Sequence, residues 1–292
     1  MMLVAVLSDK PELRKRFCAL AGKEATGDGI TFYPCEAGIT LVEPTDYPEK
    51  IQPLIYSLSM ADYAVLLVDG LSPKVGELII ALTSMRIDRG MIMSNVPLPI
   101  GGTVLDKYEN VADLAAAAAK VKALQPEAGG EQMVALVHRT EQVKSLGHVA
   151  YGVVKSGKIR KQDKLYVLPE KKEIEVRSLQ VGGSEADEAV AGTHVSLVFK
   201  GEPFEKGILV PMRNEYEISN VVNGRFAKSP FFRDELKGKI HAYANMQFVE
   251  GTLNESDITL SQPLAFEKGE QIVIVDASNQ KLRIAGIFQS KW

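Results

Sequence analysis

The sequence predicts a multidomain α/β plus all-β protein: an N-terminal doubly wound α/β domain followed by two β-barrels. Three observations carry this. Residues 3–124 alternate short apolar runs with helix-spaced segments, the pattern of a helix-flanked, mostly parallel sheet. Pro126-Glu127-Ala128-Gly129-Gly130 then forms the clearest linker in the chain. From Met133 onward, short β-rich runs recur between Gly, Asn and Asp turns, as antiparallel barrels or sandwiches require. A chain of 292 residues suits two or three domains. We place them at 1–128, 131–212 and 213–292, with the second break near Met212-Arg213-Asn214-Glu215.

Within the first domain, Val4–Leu7 reads as a strand and Pro11 to about Gly22 as a helix, with Pro in its first turn and Asp9 as its cap. Ile30–Tyr33 and Ile39–Val42 are short strands on either side of Gly38. Ile51, Leu54, Ile55 and Leu58 have helical spacing, and Tyr63–Val68 is a strongly apolar strand. A helix over Val75–Met85, a strand at Met91–Met93 and an alanine-rich helix within Val111–Leu124 complete the alternation.

Composition narrows the function classes. Hydrophobic residues make up 46% of the chain and charged residues 24%, which is ordinary for a soluble globular protein. No apolar run approaches the roughly 20 residues of a membrane span, and the apolar N-terminus lacks a basic flank, so a cytoplasmic protein is expected and no membrane partner. Net charge is −3, which weighs against strong nonspecific nucleic-acid binding and gives no reason to expect DNA, while leaving room for a local basic face. Cys18 and Cys35 form no zinc spacing or disulfide framework, and Cys18 lies on an apolar helix face as a core residue. His138, His148, His194 and His241 are far apart and read as solvated or core-edge side chains. No metal, cofactor or catalytic residue is expected.

The stretch Gly147-His148-Val149-Ala150-Tyr151-Gly152-Val153-Val154-Lys155-Ser156-Gly157-Lys158-Ile159-Arg160-Lys161-Gln162-Asp163-Lys164-Leu165 carries the most specific pattern in the chain. Val149, Tyr151 and Val153 share one strand face, and Ser156-Gly157 supplies a tight turn. A second run, Glu188 to Gly201, closes on Lys206-Gly207-Ile208-Leu209-Val210. Together these resemble domain II of translational GTPases over residues 134–210, with Gln162 where the family has glycine. Within that group the chain is most similar to elongation factor Tu and its selenocysteine-specific relative SelB, above all to archaeal SelB-like paralogues with degenerate G domains. Residues 215–292 resemble the third domain, less specifically. The chain stops soon after Leu282-Arg283-Ile284, so SelB's additional RNA-reading domain is not expected.

The resemblance implies that the first domain is P-loop-GTPase-like, but degenerate and truncated at about 125 residues. A P-loop reads G-x-x-x-x-G-K-[ST]; the slot after the first strand holds Ser8-Asp9-Lys10-Pro11-Glu12-Leu13-Arg14-Lys15. Both glycines, the lysine and the magnesium hydroxyl are missing. Pro11 has no N–H to offer a phosphate, Leu13 puts a side chain where backbone must approach, and Glu12 adds negative charge. Arg14 supplies the lysine's charge without the loop geometry. Gly22-Lys23 is a decoy, because it follows a helix and Phe17 occupies the first glycine position. At the next family motif Asp46 and Pro48 remain; Glu49 stands where glycine offers its N–H to the γ-phosphate, and Lys50 where the water-positioning histidine would be. Asn95-Val96-Pro97-Leu98 keeps only the Asn of the guanine motif. Asp46 and Asp69 read as a loop residue and a strand-end cap in preference to a magnesium pair. GTPase activity is therefore not expected.

Lys155, Lys158, Arg160, Lys161 and Lys164 are the candidate RNA-binding residues, with a solvated hairpin rim as the competing reading. Arg225–Arg233 combines basic residues with Phe226, Phe231 and Phe232, and reads as core strand plus loop before RNA platform. The expected function is an elongation-factor-like protein without usable GTP-binding motifs, binding tRNA, the ribosome or a translation-factor protein through its barrels. Two alternatives stay open: an elongation factor with atypical nucleotide binding, and a protein–protein adaptor.

Overall fold

A computed structural model of the chain describes residues 1–23, 29–126, 130–236 and 239–291. Linker residues 127–129 and Trp292 lie outside the described residues. The N-terminal unit holds strands β1 (Met2–Leu7), β2 (Thr31–Pro34), β3 (Ile39–Glu43), β4 (Tyr63–Val68), β5 (Gly90–Ser94) and β6 (Glu109–Asn110). Its helices are α1 (Pro11–Ala21), α2 (Gln52–Met60), α3 (Pro73–Ser84) and α4 (Leu114–Ala123). The sheet order is β2-β3-β1-β4-β5-β6, parallel except for the β2/β3 pair. A two-residue side-chain period sorts each central strand between two apolar layers. Met2, Val4 and Val6 face α1 and α4 with Phe17, Cys18 and Val121, whereas Leu3, Ala5 and Leu7 face α2 and α3 with Leu54, Leu58 and Leu78.

The second unit comprises β7 (Val134–Val143), β8 (Gly147–Ser156), β9 (Lys158–Arg160), β10 (Lys164–Leu168), β11 (Lys172–Val181), β12 (Ser184–Ala186), β13 (Glu188–Val190), β14 (His194–Gly201) and β15 (Gly207–Pro211). The order β10-β15-β7-β8-β14-β11 closes through the β10/β11 pair into a six-stranded barrel, with β12 added at β11 and β9/β13 as a separate ribbon. Gln162 takes the left-handed conformation that favours glycine, φ 69°, and its N–H bonds Val176 O at 2.8 Å. The third unit, β16 (Glu217–Lys228), β17 (Lys239–Ala244), β18 (Gln247–Leu253), β19 (Asp257–Phe266), β20 (Gln271–Val275) and β21 (Ile284–Ser290), is a second closed barrel of order β16-β19-β18-β17-β20-β21. Both barrels thus remove their sheet edges by closure.

One expectation needs correction. Asp9 does not cap α1. Lys10 holds the N-cap position without a side-chain bond, and the Asp9 carboxylate instead accepts from Ser72 Oγ at 2.7 Å. Val149, Tyr151 and Val153 share a face as expected, and that face is the outside of the barrel. Ala150 and Val154 point into the barrel core, while Val153 joins the apolar cluster of the N-terminal unit. An outward strand face can be apolar because another domain covers it.

That cluster runs from α2 and α3 into both barrels, taking in Leu136, Ile208, Tyr243 and Ile284. Polar clamps fix the same contacts. Arg283 donates from its backbone N–H and Nε to Glu77 Oε1 at 2.8 and 3.0 Å, from Nη2 to Glu77 Oε2 at 2.6 Å, and from Nη1 to Glu49 O at 3.1 Å. Glu77 is fully buried and Arg283 nearly so. On the other barrel, Lys155 donates to Asp62 Oδ1 and Ala61 O, both at 2.9 Å. Gly192, at φ +78°, lets the second unit approach so closely that a Cβ there would meet Met1 O at 1.8 Å. Lone removal of one member of a buried pair strands the other charge, at about 3–5 kcal/mol, whereas an apolar replacement of both is tolerated. Glu77→Ala is therefore expected to lower the unfolding free energy, from urea titration followed by circular dichroism, by that order, and Glu77→Leu with Arg283→Met to recover most of it. Equal loss in the single and double variants would refute this.

Candidate functional site

In a doubly wound sheet, ligands bind beyond the carboxyl ends of the strands where the chain changes winding direction. Here that point is β1, flanked by β3 on one side and β4 on the other. The residues at its end are Ser8, Asp9 and Lys10. α1 begins directly afterward with Pro11 in its first turn, and its inward face carries Arg14, Phe17, Cys18 and Ala21 at helical spacing.

Arg14 is fully buried. Its Nη1 donates to Ser8 O at 2.5 Å, its Nη2 to Tyr47 O at 2.7 Å and Thr45 O at 3.4 Å, and its Nε to Glu43 Oε1 at 3.3 Å. Glu43 is itself fully buried, and its second oxygen accepts from Tyr33 OH at 2.8 Å. The planar guanidinium thus ties the end of β1, the end of β3 and the 45–47 segment together. Tyr47 is held from its other end, donating to Lys74 O of α3 at 2.9 Å. Arg14 is therefore not a free cation standing in for a lysine; its donors are spent inside the protein.

The remaining expected site residues divide. Asp46 pairs with Lys50 at 2.9 Å, Pro48 follows a cis bond from Tyr47, and Glu49 offers its carbonyl to Arg283. Asn95 Nδ2 donates to Asp69 Oδ1 at 3.1 Å, and Lys10 Nζ meets Asp69 Oδ2 at 2.7 Å. The hydrogen bonds from Lys10 and then Asn95 hold the Asp69 carboxyl below its ordinary range. Asp46 and Asp69 therefore sit in separate ion pairs, and no cluster of three or more metal-ligating side chains occurs among the described residues. Leu13 packs partly into the α1/α4 layer and Lys15 is exposed on α1, so neither joins the edge.

The candidate RNA-binding cations are mostly neutralised. Lys158 and Arg160 both meet Glu188 at 3.1 Å, and Lys161 meets Glu185 at 2.9 Å and Asp187 at 3.0 Å. Lys155 needs correction: its ammonium faces the N-terminal unit. Lys164 is exposed on β10. A more open cleft, of about 540 Å³, lies where the three units meet, between Gln52 and Tyr56 of α2, Lys172 and Lys206 of the first barrel, and Met246 and Phe248 of the second. Lys206 Nζ stands 5.4 Å over the Tyr56 ring. Glu170 and Glu205 share the cleft, so its charge is mixed.

One pair escaped the sequence reading. His138 and His194 bring their Nε2 atoms to 3.2 Å, with Phe32 of β2 stacked on His194 at 4.1 Å between ring centres. No local pattern joins residues 56 positions apart; the barrel does, placing β7 and β14 on either side of β8. Burial, aided by its neighbour His194, holds His138 down at about 3, and burial holds His194 at about 4.

Residues 147–210 match the family model for elongation factor Tu domain 2. An uncharacterized protein of Methanocaldococcus jannaschii is 28% identical over 291 residues, spanning 91% of this chain and 93% of that protein. The crystal structure of translation elongation factor SelB from Methanococcus maripaludis in its apo form superposes with TM-score 0.78 at 17% identity, over 100% of this chain and 79% of that one. Its complex with the GTP analogue GppNHp gives the same TM-score at 16% identity and the same coverage. A bacterial selenocysteine-specific elongation factor, EF-Sec, gives 0.70 at 18% identity, over 99% of this chain and 58% of that one.

Two outcomes follow from the geometry. Arg14→Leu strands the Glu43 carboxylate, so it is expected to lower stability by about 3–5 kcal/mol, with Arg14→Lys recovering only part because a point charge cannot span the carbonyls. A thermal melt unchanged by Arg14→Leu would contradict the buried role. The histidines bind fewer protons folded than unfolded between about pH 6.5 and 4. Their contribution is present above pH 6.5 and is lost as pH falls toward the folded values, by up to ~1.4 kcal/mol per pH unit for each. Glu270, pushed up to about 7 by burial, runs oppositely, losing its contribution as pH rises through that value. His138→Phe with His194→Leu should flatten the acid limb of a stability–pH curve and leave the neutral limb; an unchanged acid limb would count against it. The chain carries an elongation factor Tu domain 2 and has, over its whole length, the fold of the SelB translation elongation factors.

Proposed function

We propose that this chain is a SelB-like translation factor that works without guanine nucleotide and engages tRNA or the ribosome through its two barrels. The carrying observation is Arg14. A fully buried guanidinium with four hydrogen bonds occupies the carboxyl end of β1. In a P-loop protein that place belongs to convergent backbone N–H groups and the phosphates they hold. Without the glycines, the P-loop lysine and its hydroxyl, and with Glu49 and Lys50 in the next motif, there is no cradle for a triphosphate and no apparatus for in-line transfer. SelB of Methanococcus maripaludis was solved with a GTP analogue bound; this chain keeps that fold with a different edge.

The cleft at the meeting of the three units supports the RNA half of the reading. Lys172 and Lys206 supply cations, and Phe248, 39% exposed, supplies a ring face, the combination that receives a nucleic-acid strand end. The mixed charge from Glu170 and Glu205 favours a specific ligand over bulk polyanion.

Calorimetry with GTP and GDP in the presence of magnesium is expected to show no binding tighter than about 1 mM. A micromolar affinity would overturn the nucleotide-independent reading. Independently, aminoacylated tRNA should compete better than uncharged tRNA for the full chain, and Lys206→Glu should weaken it about tenfold. Equal, millimolar binding of both forms would overturn the RNA half.

A further inference from the structure

An apolar groove runs along α3 where the N-terminal unit meets the second barrel. It consists of two chambers of about 230 Å³ each. Gly76, Pro99 and Leu282 line the first, and Thr83 and Ile287 the second. Ile80 and Phe231 line both and so form the partition. Phe231 is 45% exposed, a large apolar side chain left to solvent at the centre of the feature.

Two properties define what fits. Pro73, Gly76, Ile80 and Thr83 form one stripe of α3, and Gly76 to Thr83 spans about 10.5 Å, the rise between side chains seven residues apart on a helix. The charge is one-sided as well. Lys281 borders the first chamber and Lys228 the second, and among the described residues no carboxylate lines either. Both lysines are exposed.

We propose that this groove docks an acidic amphipathic helix of a partner protein, with two apolar side chains seven residues apart in the chambers and carboxylates over Lys281 and Lys228. The proposal does not depend on the nucleotide or RNA reading, since neither the edge of β1 nor the three-way cleft contributes to the groove.

The test is a phage-displayed library of 18-residue helices, with two apolar positions seven apart and the flanking positions varied among Glu, Lys, Gln and Ala, selected on the full chain. Glutamate-flanked sequences should be enriched. Gly76→Leu should weaken the selected peptides at least tenfold, because it fills the first chamber. A Cβ at Gly76 meets nothing within 4 Å and leucine is the better helix former, so this variant keeps its fold. Lys228→Glu with Lys281→Glu should reverse the preference to lysine-flanked helices. No enrichment, lysine-flanked winners on the unaltered chain, or peptides indifferent to Gly76→Leu would overturn the proposal. So would self-association abolished by Gly76→Leu, which assigns the groove to a second copy, or displacement of the peptides by an RNA oligonucleotide, which assigns it to nucleic acid.

Discussion

The structure turns on the Arg14 guanidinium. It reaches three chain segments that are distant in sequence and adjacent in space: the end of β1, the end of β3 and the 45–47 loop. A buried charge is tolerated only when paired and hydrogen-bonded, and here Glu43, Tyr33 and three carbonyls meet that condition. The position is also where the sheet's topology would otherwise present a crevice. Arg14 thus organises the edge at the carboxyl end of β1.

The same device recurs at the domain contacts. Lys155 joins Asp62 with the carbonyls of Met60 and Ala61, and Arg283 joins Glu77 with the carbonyl of Glu49. Each cation binds one carboxylate and neighbouring carbonyls across an apolar contact. Apolar burial supplies the drive for docking; the pairs select one registration of it, most strongly at Glu77 and Arg283, where a slip leaves buried charge unpaired.

Much of the fold was legible. Tyr63–Val68 stood out by its continuous apolar character, and Ile51, Leu54, Ile55 and Leu58 marked α2 by period alone. Chemistry local in sequence was legible too, as in Pro11 in the first turn of α1. The pairings were not. Arg14 meets Glu43 29 positions away, Lys155 meets Asp62 at 93, and Glu77 meets Arg283 at 206. Lys155 belongs by sequence to a basic run, and only docking reveals that it faces another domain. At β8 alternation identified two faces but not which one a neighbouring domain covers.

The segment 45–49 links the two halves of this arrangement. Arg14 holds its beginning through the carbonyls of Thr45 and Tyr47, and Arg283 holds its end through that of Glu49. Tyr47 lies between them with its hydroxyl on α3, beneath the Arg283 guanidinium at 5.7 Å from the ring centre. Freeing the segment at the β1 edge would take the Thr45 and Tyr47 carbonyls from the buried Arg14 guanidinium, at about 1.5–3 kcal/mol for a hydrogen bond to a charged group. A ligand can shift that equilibrium only by preferring the opened state by at least as much. Since the same segment contacts Arg283, an opening at the edge would also remove a partner from the clamp on the second barrel. Residues 45–49 therefore join the β1 edge to the domain contact through their own backbone carbonyls.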